Sequence, residues 1–138
     1  MNNIDKESII KLLENDRFSA KNGITLVSAE PGYATAQMEI QDYHLNGLDI
    51  VQGGAIFTLA DFAFAAASNM KGNITVSISA NITFFKIPKG KRLIAKASEV
   101  LTDKKLCGYN IDVFDDNHDL ISHVYINGFT KEGKKEAE

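Results

Sequence analysis

The sequence predicts an α+β fold in which a long central helix is wrapped by a curved, largely antiparallel β-sheet. Three observations predict it. From Gly54 to Ala67 only Thr58 and Asp61 are polar, and a helix apolar on every side is normally buried. Six other segments have the composition or the period-2 alternation of strands. Those strands arrive in runs, two before the helix and four after it, rather than alternating with helices, which is the order of an antiparallel sheet.

The elements follow in order. Asp5 can cap a first helix, about 5–18, with Ile9, Ile10, Leu12 and Leu13 at helical spacing. Residues 24–30 and 33–40 read as a hairpin around Pro31-Gly32. In its second strand Tyr33, Thr35, Gln37 and Glu39 alternate with Ala34, Ala36, Met38 and Ile40. A polar loop, Gln41 to Asp49, leads into the apolar helix at 53–70, which Gly72 can terminate. Strands follow at 74–87, 92–102, 106–114 and 120–130. Pro88-Lys89-Gly90 reads as a surface turn, and Asp115-Asp116-Asn117-His118-Asp119 as a solvated one. The core is then about 24–130 and the charged tail 131–138. The whole 1–138 is expected to be a single domain.

Composition narrows the function. A net charge of -3 argues against a large nucleic-acid footprint. The single cysteine, Cys107, allows no intramolecular disulfide and has no neighbouring charge to activate it. His44, His118 and His123 are not at metal-ligand spacing, so no metal is expected. No apolar run approaches the ~20 residues that span a bilayer, and no cationic start precedes an apolar run. A cytoplasmic protein without membrane contact is the expectation.

Two features carry chemistry. Gly53 and Gly54 open the apolar helix, where backbone N–H groups lack internal partners and favour negative charge. Glycine lets a ligand approach that backbone, so the pair can grip a carbonyl oxygen and stabilise its oxyanion. Close packing of the helix start explains the same glycines equally well. Asp61 lies too far along to cap the helix. Either a buried hydrogen bond satisfies it, or it acts as nucleophile or general base. Eight residues along one helix separate Gly53 from Asp61, ~12 Å at 1.5 Å per residue. One helix cannot bring both to one carbonyl; two antiparallel copies across a two-fold axis can. If the two groups form one site, the protein is at least a dimer with its sites at the interface.

The stretch His44-x-Asn46, Val51-Gln52-Gly53-Gly54, Phe57-x-Leu59-Ala60-Asp61-x-Ala63-Phe64 and Ser68-Asn69 resembles the hotdog-fold acyl-CoA thioesterases, most closely the phenylacetate-pathway (PaaI-like) branch. The likeness continues through Val76-Ser77 and Asn81-Ile82-Thr83-Phe84 to Pro88 and Gly90. It implies a hotdog fold, homodimers that often pair into homotetramers, and hydrolysis of acyl-CoA to free acid and CoA. CoA is then part of the substrate, and no further cofactor is implied. Carried over by position, Asp61 matches the catalytic acid, Gly53 the carbonyl-polarising amide, Asn46 the loop asparagine that places thioester or water, and Ser77 a serine that helps orient the water. Gln52 and Gly54 would flank the substrate. Lys89, Lys91 and Arg92, a basic turn, would meet CoA phosphates.

One departure matters. The family usually has His-Gly-Gly where this chain has Gln52-Gly53-Gly54. Glutamine donates a hydrogen bond but does not titrate near neutral pH. A thiolate, with a thiol pKa of about 8–9, leaves without much acid help, so retuned hydrolysis is the expectation. A non-catalytic acyl-CoA-binding protein is the alternative. A dehydratase is weaker, because those enzymes generally pair an acid with the histidine this chain lacks.

Overall fold

The computed structural model describes residues 4–131, so all but the first residue of the expected charged tail lies outside the described residues. The N-terminal helix is two helices, α1 (Lys6–Glu14) and α2 (Arg17–Lys21), rather than one over 5–18. Each has its own cap. Asp5 accepts from the Ser8 N–H at 2.8 Å. Asp16 accepts from the Ser19 N–H at 3.1 Å and from its hydroxyl at 2.8 Å. An aspartate in extended conformation starts a new helix rather than continuing an old one.

Six strands follow: β1 (Ile24–Glu30), β2 (Tyr33–Glu39), and, after the long helix α3 (Gly53–Asn69), β3 (Thr75–Phe84), β4 (Arg92–Asp103), β5 (Leu106–Asp115) and β6 (Leu120–Thr130). They form one sheet in the order β1-β2-β4-β5-β6-β3, every pair antiparallel. The loop before α3 contains a single 3-10 turn, Asp42–His44. The sheet curves around α3, which touches all six strands. Alanines on the helix (Ala60, Ala63, Ala66, Ala67) and on the facing strands (Ala34, Ala36, Ala95, Ala97) let the two approach closely, and all are buried. Leu59, Leu93, Ile111, Ile121 and Ile126 fill the space between, each fully buried and each stabilising by about 1.5–3 kcal/mol.

The wrapping is incomplete. Ile56, Leu59, Ala60, Ala63, Phe64 and Ala67 are buried, but Gly54, Phe57, Thr58, Asp61 and Ala65 form a stripe that one chain leaves partly or fully open. The expected helix, covered on every side, is covered on all but one.

The two sheet edges differ. β1 is short and bulged at Val27. β3 is ten residues long, pairs only with β6, and exposes Val76, Ile78 and Phe84 by 54, 58 and 51%.

Candidate active site

The start of α3 is built by Gln52. Its backbone is extended, and its side-chain oxygen accepts the Gly54 N–H at 2.6 Å. Its backbone carbonyl takes the Ala55 N–H at 2.9 Å and the Ile56 N–H at 3.4 Å. The donors on either side of it being spent, the Gly53 N–H has no acceptor among the described residues. The tight-packing reading of the glycines holds as well. A side chain at Gly53 would meet the Phe84 ring at 2.9 Å. Phe84, at the end of β3, thereby sits against the first turn of α3.

Asp61 lies on the half-open stripe, two turns further along. Burial raises its carboxyl above the usual carboxylate range, the negative charge of Asp16 at the α2 cap raises it further, and the Ser77 side chain beside it pulls the other way. Ser77 and Asp61 are thus neighbours within one chain. Gly53 and Asp61 are not, being eight positions apart on one straight element.

Asn46 closes its own loop. Its side-chain oxygen accepts from the Leu48 N–H at 2.8 Å and the Ile50 N–H at 3.3 Å, and Asp49 takes a left-handed φ of 62° to complete the turn. The carbonyl end is therefore committed and the amide NH₂ remains as a donor. His44, two residues earlier, is 3% exposed. Its Nδ1 accepts the Gln41 N–H at 3.0 Å, which puts the proton on Nε2. Burial lowers its pKa, opposed by the Asn22 backbone, so the ring is neutral at neutral pH.

A cavity of about 650 Å³ opens between α2, the 3-10 turn and the first two turns of α3. Asn46, Gln52, Gly54 and Thr58 line it, so the structure brings these together at one end of α3. Lys89, Lys91 and Arg92 are not among its walls. The Lys89 and Lys91 N–H groups donate to Asp115 (3.0 Å) and Asp116 (2.6 Å). Arg92 pairs with Glu39 at 3.6 Å, and Lys86 with Asp119 at 3.6 Å. The basic turn begins just beyond Phe84, but acids hold part of it.

The Asp115 turn is a correction. Read as solvated, it contains a carboxylate that is 1% exposed and accepts from the N–H groups of Lys89, Asn117 and Asp119. Cys107 is buried and its thiol is pushed up by that burial, which suits a packing residue.

The thioesterase superfamily matches residues 48–122, from just ahead of α3 into β6. The chain is 31% identical over 103 residues to the acyl-coenzyme A thioesterase PaaI of Escherichia coli K12, covering 74% of each. It is 31% identical over 93 residues to human acyl-coenzyme A thioesterase 13, covering 65% of this chain and 66% of that one. Among solved structures it is similar to the E. coli PaaI protein of the phenylacetic acid degradation operon. That superposition has a TM-score of 0.85 at 27% identity, covering 89% of this chain and 90% of the other.

Proposed function

The chain belongs to the thioesterase superfamily, in its PaaI-like hotdog branch, and on that premise we propose that this thioester hydrolase cleaves acyl-CoA at sites shared between two protomers. The observation that carries the reading is the unpartnered Gly53 N–H at the start of the same helix as a carboxylate made basic by burial, the carboxylate lying on the side that the sheet leaves open. The thioester oxygen accepts from Gly53. The partner's Asp61 attacks the carbonyl carbon, or takes a proton from a water that does. The oxyanion collapses, the C–S bond breaks and CoA leaves as a thiolate. After direct attack a water then cleaves the mixed anhydride on Asp61 to the free acid, and in either course the proton released by that water is the one the thiolate takes up. Ser77, beside Asp61, orients the water, and the Asn46 amide donates toward the thioester. The Gln52 NH₂ is a second donor at the same end, and Gly54 leaves it room: a side chain there would meet the Gln52 oxygen at 2.5 Å. The side chains of Lys89 and Lys91 reach CoA phosphates from the turn beyond Phe84, with Arg92 the weaker contributor because Glu39 already holds it.

The dimer rests on β3. A long, apolar edge strand is a template for pairing, and beyond the bulge between Ser77 and Ser79 β3 runs in regular register to Phe84. Joining two β3 edges antiparallel across a two-fold axis lays the open stripe of one α3 along that of the other. It also sets Gly53 of one helix near the other's Asp61. Two such dimers make the homotetramer that the resemblance implies. No helix of the described residues is long and apolar enough to cross a membrane, and we assign the activity to the cytoplasm, where acyl-CoA is handled.

A complementation experiment tests the shared site. Asp61→Asn removes the acid. Gly53→Pro removes the N–H at a position where proline fits a helix start and the extended Gln52 before it is compatible. It is made together with Phe84→Ala, so that the ring has room, and is compared with Phe84→Ala alone. Losing one oxyanion donor costs about 10²–10³-fold in kcat. Mixing the two inactive chains restores one intact site in each mixed dimer, with Gly53 and Phe84 both native there, so thiol release recovers to roughly a quarter of the wild-type level under random pairing. No recovery, with mixed dimers present by native mass spectrometry, refutes the shared site.

Gln52 favours a second reading. Its oxygen is engaged at Gly54 and it cannot act as an acid, as a binding protein without turnover would tolerate. Tight acyl-CoA binding with no thiol release across a panel of esters would establish that reading instead.

A further inference from the structure

We propose that the cavity beneath α2 receives the acyl group, and that Phe18 determines how large an acyl group it accepts. The inference rests on the thioesterase reading and adds the substrate class.

The cavity adjoins the proposed carbonyl grip, since Gln52 and Gly54 on either side of Gly53 both line it. Its walls suit an apolar occupant. No charged side chain lines it, and His44 is neutral. Most of its polar groups are spent within the chain. The Thr58 hydroxyl donates to the Gly54 carbonyl at 2.7 Å. The Asn22 amide donates to the Phe18 carbonyl at 2.9 Å, the Asn46 oxygen closes its own turn, and the Gln52 oxygen holds Gly54. Met38, Leu45, Ala55, Phe57 and the Tyr43 ring supply the rest of the wall. The donors left over are the Asn46 and Gln52 amides, the Tyr43 hydroxyl and the buried Nε2–H of His44. With no charged side chain to hold a phosphate, the apolar walls suit a hydrocarbon chain. About 650 Å³ lies within the range that holds a small organic ligand. An acetyl group would leave most of it wet, and a long fatty chain would have to pass the mouth.

Phe18 stands at that mouth. It lines the cavity yet is 66% exposed, so its ring is a wall without being part of the core. Its backbone is fixed from both ends, by the Asp16 cap and by the Asn22 amide. The ring therefore borders the cavity from a fixed point of the backbone. Phe18 lies on α2, outside residues 48–122 that the superfamily matches.

The test is thiol release from straight-chain acyl-CoA esters, from two to sixteen carbons, by the full chain, Phe18→Ala and Phe18→Trp. The wild-type protein should prefer chains of intermediate length. Phe18→Ala should raise the ratio of long-chain to short-chain kcat/KM by roughly tenfold, the scale on which a few pocket methylenes discriminate. Phe18→Trp should move the optimum toward shorter chains. Three profiles that superimpose after scaling, from an active wild-type protein, overturn the inference and leave the thioesterase reading standing. A wild-type protein that releases no thiol from any ester removes the premise and the inference together.

Discussion

Two carboxylates withdrawn from water, the half-buried Asp61 on α3 and the buried Asp115 at the end of β5, have opposite fates. Burial pushes both toward the neutral form. At Asp115 the N–H groups of Lys89, Asp119 and Asn117 outweigh it and hold the carboxyl below the usual range, with Lys86 adding a little. At Asp61 there is no such cradle. A second acid, Asp16, sits nearby, and a single serine opposes the rise. The protein can satisfy a buried acid when it needs a pin, and it withholds that satisfaction from the acid on its open helix face. Asp115 ties the β3–β4 turn to the β5–β6 turn. Asp61 is left basic, which suits the proton acceptance or carbonyl attack proposed for it.

Replacing each acid tests the contrast. Asp61→Asn should lower kcat by about 10³-fold in thiol release while the protein stays folded, the usual scale for a positioned acid–base group. A variant with near-native rates would leave Asp61 merely structural. Asp115→Ala should do the converse: unfolding in urea should show about 2–3 kcal/mol lost, because three donors lose a charged acceptor, with kcat per folded molecule little changed.

The pH dependences should also run in opposite directions. The folded-state pKa of Asp115 lies below its unfolded value, so its contribution is complete above the unfolded pKa and is lost as pH falls through the folded one. The folded-state pKa of Asp61 lies above its unfolded value. Its protonated form helps stability below the unfolded pKa, and that help is lost as pH rises through the folded one. Asp61→Asn should therefore melt higher than the wild-type protein at neutral pH, and the two curves should converge in acid. A lower neutral Tm for the amide would contradict the account. The smallest effect is expected at Asp16→Asn. It removes a like charge, so the acid limb of the pH–rate profile should move modestly to lower pH; a limb that stays in place or rises would mean that Asp16 does not act on Asp61.

Much of the architecture was legible in the chain. The alternation from Tyr33 to Ile40 and the turn signals at Pro31-Gly32 and Pro88-Gly90 mark strands now seen as β2, β3 and β4. The apolar run from Gly54 marks α3 to within a residue at each end. Gly53 and Asp61 stand out because one is permissive and the other out of place. The break between α1 and α2 had a local signal, Asp16 with Ser19 three residues on, masked by the continuing apolar spacing. The uncovered stripe of α3 had none, since Ala65 and Phe57 look as buriable as Ala66 and Phe64. Nor did the Asp115 cradle. Five polar residues read as a turn in water until Lys89, 26 positions away, donates into it.

The sequence by itself determined which segments are strands, where the long helix begins, and that a glycine and an acid stand eight residues apart on it. Those are local matters of periodicity, caps and turn residues. Only the tertiary structure decided which acid is held ionised and which is left basic, which helix face stays open, and what walls the cavity. Each depends on groups brought together from distant parts of the chain, and the field at a carboxylate depends on every donor and charge around it.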